Sequence, residues 1–238
     1  MSQHEKRDGM VDHMTQQRFD PAGTATDAGA ARPAPAQTGK ASMRERIIEA
    51  AAELFYTQGI RAVSAEKIIA KVGITKVTFY RHFPAKDDLI VVYLQRRAQW
   101  ERHAVEAARE AAAGNISEVF RMIAEGIGAE TCSPGFRGCP FINAAAEYAD
   151  AEHPVRQVVD AHRRWFKGAI EEMLQQIGVT DVSSAADQLV MLRDGAMVGG
   201  YLGDPQTIGR SLHNAGRALI EFHSPRSPSR KRRTTTRR

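Results

Sequence analysis

Apolar residues recur along most of the chain with the spacing of α-helices. Between residues 43 and 223 they return every three or four positions, and almost no stretch alternates with a period of two. Glycine, proline and helix-capping residues interrupt this pattern and mark where helices begin and end. The sequence therefore predicts an all-α fold, with helices at about 43–58, 65–72, 76–82, 86–112, 116–130, 141–150, 154–178, 183–203 and 205–222.

The second and third predicted helices are short and lie close together. Ser64 and Thr75 can cap their N-termini, and Gly73 ends the second helix. A turn of only a few residues then joins them. This arrangement predicts a helix-turn-helix unit.

The third helix lies within "GITKVTFYRHFPAKDDL", residues 73–89. We expect Val77 and Phe79 to point inward. A crowded polar set is left to point outward, and it consists of Lys76, Thr78, Tyr80, Arg81 and His82. Such side chains suit base edges and phosphates in a major groove, so we interpret this segment as a recognition helix rather than a solvated surface helix.

The charge distribution points in the same direction. Residues 41–85 carry a net charge of +3, residues 86–223 carry −5, and residues 224–238 hold seven basic residues and no acid. A basic segment at 41–85, followed by an acidic segment at 86–223, suggests that one end of the folded protein binds a polyanion. Residues 1–40 and 224–238 are too poor in large apolar groups to offset their ordering entropy, so we expect both segments to be disordered.

The segment "SAEKIIAKVGITKVTFYRHFPAKDDLI" resembles the DNA-binding region of the TetR family of bacterial transcriptional regulators, over about residues 43–90. The resemblance implies that Thr75, Lys76 and Thr78 approach bases. It implies phosphate contacts for Tyr80, His82, Ser64 and Lys86. The sequence departs from the family where Val77 replaces a frequent Gly, and where Ile69 and Val72 replace a frequent Ala.

The resemblance also implies a second, larger helical domain that forms the dimer and binds a small molecule. We therefore divide the chain into a 1–40 extension, a 41–85 helix-turn-helix domain, an 86–223 effector-binding and dimerisation domain, and a 224–238 basic tail.

The last two predicted helices are the candidates for the dimer interface. They combine small residues, which permit close helix approach, with large apolar residues at helical spacing. The alternative is that they pack only against their own domain. The candidate interface residues are Leu192, Gly195, Ala196, Gly199, Leu212, Ala215, Leu219 and Phe222.

A ligand pocket in the body should combine an apolar wall with a few polar groups. Aromatic residues at helical spacing are also common in ordinary cores, so both interpretations stay open for each residue. The candidates are Trp100, His103, Phe120, Ile123, Phe141, Asn143, Glu147, Tyr148, Trp165, Phe166, Met191 and Tyr201. His162, Arg163 and Arg164 could bind an anion or form a solvated face, and we expect the solvated face.

Cys132 and Cys139 flank a Pro-Gly turn and are too few for a disulfide framework. They could form a redox switch in which Arg137 favours the thiolate, or they could be one free loop thiol and one buried thiol. The known catalytic motifs HExxH, CxxC and GxSxG are absent from the sequence, so we expect neither an enzyme nor a cofactor or metal site.

The sequence contains no apolar run near 18 residues and no apolar signal segment at its start, which predicts a cytoplasmic protein without a membrane partner. The predicted function is a homodimeric, sequence-specific regulator, a repressor that a small-molecule effector releases from a near-palindromic DNA operator. Two alternatives remain: an architectural DNA binder that uses the basic tail without an effector, and a small-molecule carrier with a vestigial DNA-binding module.

Overall fold

The computed structural model describes residues 41–225, and within this range it contains helices and no strand. The all-α prediction is confirmed. The predictions made for residues 1–40 and for the tail beyond residue 225 lie outside the described residues. The helices are α1 Met43–Gln58, α2 Ala65–Val72, α3 Lys76–His82, α4 Lys86–Ala111, α5 Ile116–Thr131, α6 Pro140–Glu147, α7 Pro154–Gln176, α8 Val182–Leu202 and α9 Ile208–His223.

Capping side chains explain why α2 and α3 begin where they do. The hydroxyl of Ser64 accepts the amide N–H of Lys67 at 3.3 Å, and that of Thr75 accepts the N–H of Thr78 at 3.1 Å. Gly73 ends α2 with φ of 73°, in the left-handed region that glycine adopts without a steric cost. The predicted boundaries of both helices are confirmed.

Two predicted helices differ from the observed ones by three residues at one end, and the others agree within two residues. The helix expected at 141–150 ends at Glu147, because the following polar residues form a turn in which Asp150 accepts the N–H of Glu152. The helix expected at 205–222 is divided into a 3₁₀ turn, Pro205–Thr207, and α9. Asp204 starts that turn by accepting the N–H of Gln206 at 3.0 Å.

The first hydrophobic core spans both the helix-turn-helix unit and the body. Phe55, Ile68 and Phe79 contribute from the front of the chain, and Phe141 and Val159 contribute from α6 and α7. The front of the chain therefore shares one core with α4, α6 and α7, and α1 packs directly against α4.

The second hydrophobic core lies farther along the body and joins α5, α7, α8 and the end of α4. The helices α5 and α9 cross closely at Gly128 and Gly209. A Cβ added to Gly128 would lie 2.7 Å from the Cα of Gly209, so this crossing requires glycine. Within residues 41–225, no helix has the length and apolar character needed to cross a bilayer.

Candidate DNA-binding surface and effector domain

The helix α3, the candidate recognition helix, is anchored by a single large side chain and exposes most of the others. Phe79 is fully buried and contacts the rings of Tyr80 and Phe83, with centroid distances of 5.2 and 6.2 Å. The exposed residues of this segment are Thr75, Lys76, Val77, Tyr80 and Arg81, while Thr78 and His82 are half-buried. The helix thus presents hydroxyl, cationic and aromatic groups to solvent.

The expectation that Val77 points inward is wrong. Its side chain is 73% exposed. Each residue of an α-helix advances by about 100° around the axis, so a position two residues from Phe79 lies about 200° away from it. Val77 therefore shares the outward face with the polar residues, and it is the one large aliphatic group there.

Several predicted DNA contacts already have partners within the chain. The Lys76 ammonium pairs with Glu66 at 3.0 Å in an exposed salt bridge, and that hydrogen bond lowers the pKa of Glu66. The Lys86 ammonium donates to the carbonyl oxygens of Ile60 and Val63, both at 3.0 Å. Lys86 thus fixes the loop before α2.

The carboxylate of Glu147 ties the body to the helix-turn-helix unit. It accepts the N–H groups of Ile60 at 3.0 Å and Arg61 at 2.6 Å, in the loop between α1 and α2. Nearby, the hydroxyl of Tyr148 donates to Asp87 at 2.9 Å. Glu147, predicted to line a pocket, thus joins α6 to the loop between α1 and α2, and Tyr148, also predicted to line a pocket, joins the end of α6 to the first turn of α4.

A buried ionic network occupies the middle of the body. Glu101 on α4 is contacted by Arg97 at 2.9 Å, His162 at 3.2 Å and Arg193 at 3.4 Å. Burial alone would raise the pKa of Glu101. The hydrogen bond from His162 and the charges of Arg97 and Arg193 outweigh burial and lower that pKa to about 2.

The two cysteines are free, with Cys132 exposed and Cys139 buried. The guanidinium that contacts the Cys139 sulfur belongs to Arg193, at 3.0 Å, and not to Arg137 as the redox interpretation assumed. The arrangement matches the alternative of one loop thiol and one buried thiol.

His162 is a functional candidate that sequence reasoning assigned to a solvated face, and that assignment is wrong. The residue is 4% exposed, and its ring stacks on Phe141 with a centroid distance of 3.7 Å. The pattern of α7 held a signal, because position 162 continues the buried spacing of Val155 and Val159.

A cleft of about 510 Å³ lies between α4 and α7. His162 borders it together with His103, which the sequence had proposed for a pocket. Phe141 and Trp165 contact His162 and so lie next to this cleft, whereas other pocket candidates lie elsewhere. Phe120, Ile123 and Phe166 pack against the second core, and Asn143 donates to the carbonyl of Arg137.

Trp165 contacts both His162 and Arg102, which places it beside the cleft. Three other candidates lie on the outer surface, because their helix positions turn away from the core. These are Trp100, Met191 and Tyr201.

Two apolar stripes lie on the exposed surface of α8 and α9. On α8 the stripe repeats at helical spacing and comprises Met191, Gly195, Val198 and Leu202. On α9 it is shorter and comprises Ala215, Ala218 and Phe222, with the polar Ser211 preceding it on the same face. Leu202 is 76% and Phe222 75% exposed.

The other predicted interface residues are half-buried in their own chain. Leu192 and Leu219 pack against the second core, and Gly199 faces Ile208. Ala196 and Leu212 are also half-buried. The exposed stripes are therefore narrower than the predicted interface, and they include Met191, Val198 and Leu202, which were not predicted for it.

Family models match both parts of the chain. Residues 47–92 match the model of bacterial regulatory proteins of the tetR family, and residues 116–213 match the tetracyclin repressor-like C-terminal domain. The chain belongs to the TetR family of DNA-binding helix-turn-helix transcriptional regulators.

Individual relatives agree with this assignment. The crystal structure of SCO4454, a TetR-family transcriptional regulator from Streptomyces coelicolor, is 41% identical, with a TM-score of 0.73, and the match covers 76% of this chain and 96% of that one. The regulator LmrA of Bacillus subtilis is 27% identical over 67% of this chain and 84% of its own. The multidrug binding protein EbrR, complexed with malachite green, shares the fold with a TM-score of 0.60 at 19% identity, over 76% of this chain and 99% of that one.

Proposed function

We propose that the protein is a homodimeric repressor that binds a near-palindromic operator and is released by a small-molecule effector. The observation that carries the proposal is the exposed face of α3, where Lys76, Val77 and Tyr80 project from a helix held by buried Phe79. A fixed helix with such an outward face suits the major groove. The protein would act in the cytoplasm, where the bacterial chromosome lies.

The two apolar stripes on α8 and α9 support the dimer. Large apolar side chains that are exposed at helical spacing, as Met191, Leu202 and Phe222 are, suit an interaction surface. Four helices, two from each subunit, can bury these stripes around a two-fold axis. Gly195 and Ala215 would let the helices approach closely, while Val198 and Phe222 would supply apolar contact area. Such a dimer presents two recognition helices to successive half-sites, about 34–36 Å apart.

The helix α6 supports a route from effector to DNA. At one end, the Phe141 ring stacks on His162 beside the cleft. At the other end, Glu147 holds the amides of Ile60 and Arg61. A molecule that displaces His162 would shift α6 and, through Glu147, the loop that precedes α2. Coupling of this kind is reciprocal, so operator DNA would weaken effector binding by the same factor.

EbrR supports the proposal of an effector. Its structure holds malachite green, so a protein of this fold can accommodate an organic molecule. In our chain the α4–α7 cleft has about 510 Å³, which lies within the range of small-molecule sites.

Selection of bound sequences from a random DNA pool tests the function. The full chain is incubated with the pool at physiological salt and with excess non-specific competitor, and the retained DNA is sequenced. We expect a near-palindromic motif whose half-site centres lie about one helical turn apart, or a multiple of it. Two variants form a matched pair. Tyr80→Phe removes an exposed hydroxyl and should change the affinity for all DNA sequences. Phe79→Tyr changes a core residue and should lower the stability of the fold.

Retention of sequences without a shared motif would contradict the proposal. That result would favour the architectural DNA binder. Failure to retain any DNA while small molecules still bind would favour the carrier.

A further inference from the structure

A single carboxylate lies within the candidate DNA-binding surface. From Ser64 to Lys86 the chain has five lysine and arginine residues, and Glu66 is its only acidic residue. A carboxylate repels phosphates, so it weakens binding to DNA of every sequence. Beside DNA it contributes favourably only where a base donates a hydrogen to it. Phosphate contacts therefore do not explain the role of Glu66 in this surface.

An ion pair holds Glu66 against the candidate recognition helix α3. Its Oε1 accepts from the Nζ of Lys76 at 3.0 Å. The same carboxylate accepts the hydroxyl of Ser64 and its own backbone N–H. Ser64 is itself fixed, because its Oγ caps α2 by accepting the N–H of Lys67. The carboxylate thus has a defined position before DNA binds, which reduces the entropy lost on binding.

Both members of the pair are charged and accessible. The hydrogen bond with Lys76 lowers the pKa of Glu66, and the same bond raises the pKa of Lys76, so both groups are ionised at neutral pH. The Lys76 side chain is 65% exposed and that of Glu66 57%. Lys76 lies one helical turn before the exposed Tyr80. The ion pair therefore lies along the face of α3 that would enter the major groove.

One kind of base pair offers a matching set of atoms. In the major groove a G·C pair presents the guanine N7 and O6 acceptors next to the cytosine N4 donor. O6 and N4 lie about 2.9 Å apart, the length of an N–H···O hydrogen bond. The Lys76 and Glu66 atoms lie 3.0 Å apart. An A·T pair instead places its donor between two single acceptors, one of them beside the thymine methyl, and so suits the ion pair less well.

We propose that the Lys76–Glu66 ion pair reads one G·C base pair in each half-site, with Lys76 donating to guanine and Glu66 accepting from the N4 amino group of cytosine. The inference rests on the proposed function, because it assigns a base pair to part of that DNA interface. It makes Glu66, which lies on α2 and outside α3, a specificity-determining residue. Removal of either side chain should relax the preference at the same base pair.

Selection from a random DNA pool, repeated with three variants, tests the ion pair. Two variants, Glu66→Ala and Lys76→Met, each remove one member. The matched control is Glu53→Ala. Glu53 pairs with Lys71 at 2.7 Å, its side chain is 63% exposed, and neither residue lies on α3. Both glutamate variants remove one exposed negative charge and one exposed ion pair, so a general electrostatic effect should appear in both.

We expect the wild type to prefer G·C at one position of each half-site by at least about tenfold, because two charged hydrogen bonds depend on that base pair. Glu66→Ala and Lys76→Met should each lower this preference at least about fivefold, at the same position. Both glutamate variants should bind non-operator DNA more tightly than the wild type. Glu53→Ala should leave every base preference unchanged. Thermal unfolding checks that these exposed substitutions leave the fold intact.

A second measurement changes the DNA. Fluorescence anisotropy compares the selected operator with versions in which that cytosine is N4-methylated or 5-methylated. N4-methylation replaces the N–H that faces the major groove, whereas 5-methylation adds a methyl group and keeps that N–H. We expect N4-methylation to weaken wild-type binding at least about fivefold, and more than 5-methylation does. In Glu66→Ala the effect of N4-methylation should be less than about twofold.

Three results would overturn the inference: a wild-type motif whose preferences Glu66→Ala leaves unchanged, relaxed preferences at different positions in Glu66→Ala and Lys76→Met, or an undiminished effect of N4-methylation in Glu66→Ala. Each of these leaves the DNA motif, and with it the proposed function, in place. A wild type that selects no motif contradicts the proposed function itself, and the inference with it. The two failures are therefore distinguishable.

Discussion

Replacing Val77 with alanine tests the orientation of the recognition helix. Val77 is 73% exposed, so the change leaves the core intact, and surface substitutions of this kind alter stability by less than about 0.5 kcal/mol. On DNA, however, the side chain would be covered. Removing two methyl groups at about 0.8 kcal/mol each, scaled by the exposed fraction, costs about 1.2 kcal/mol per half-site. A dimer on two half-sites would lose about 2.3 kcal/mol, or about 40-fold in affinity.

The assay combines this variant with a change in the DNA. Fluorescence anisotropy measures binding to the selected operator and to versions in which uracil replaces thymine, which removes only the 5-methyl group. A thymine methyl is the natural apolar partner for Val77 in the major groove. We expect one such replacement to weaken the wild type by about 1 kcal/mol per half-site and Val77→Ala by much less.

Equal operator affinity for the wild type and Val77→Ala would refute the predicted placement of α3. So would an unchanged uracil effect in the variant at every thymine. Thermal unfolding provides the control, because a large loss of stability would mean that Val77 is part of the core after all.

Three further predictions concern the body. Val198→Glu places a charge in the α8 stripe and should raise the dimer dissociation constant at least about 100-fold in sedimentation experiments, whereas Gln175→Glu, an exposed change on α7, should not; equal effects would exclude this interface. The pKa of Glu101 in the folded protein is about 2, so the stability that its carboxylate contributes is complete above its ordinary pKa of 4.5 and is lost as pH falls toward 2. Glu101→Gln should therefore be less stable than the wild type at pH 7, and its Tm should fall less steeply between pH 4.5 and pH 2. Parallel plots of Tm against pH for the two proteins would contradict this. Glu147→Ala should accelerate amide exchange at Ile60 and Arg61 by at least about tenfold, since each loses a charged acceptor, and unchanged exchange would show that Glu147 does not hold the loop.

The helices could be predicted from the sequence because interactions between residues close in the chain determine where they begin and end. Ser64, Gly73 and Thr75 set the boundaries of α2 and α3 through contacts within a few residues, which a linear pattern records. The family resemblance added the arrangement of the two domains. Where the prediction was inexact, as at Pro205–Thr207, a side-chain cap and a proline started a tighter turn that the apolar spacing does not reveal.

The candidate sites were harder to predict from the sequence because they depend on contacts between segments that are distant in the chain. Val77 was assigned inward on its apolar character, although its angular distance from Phe79 placed it outward. His162 was assigned to the surface on its polarity, because its partner Glu101 lies on another helix. Glu147 was assigned to a pocket, whereas its partners are backbone amides of the α1–α2 loop.

The central claim, a dimer that reads an operator with α3, is tested most directly by a footprint. The purified full chain is bound to the DNA upstream of and beside its own gene, at physiological salt and with non-specific competitor. We predict a protected near-palindrome, with protection of both half-sites appearing at the same protein concentration. Diffuse protection that disappears with competitor, at every protein concentration, would contradict the account.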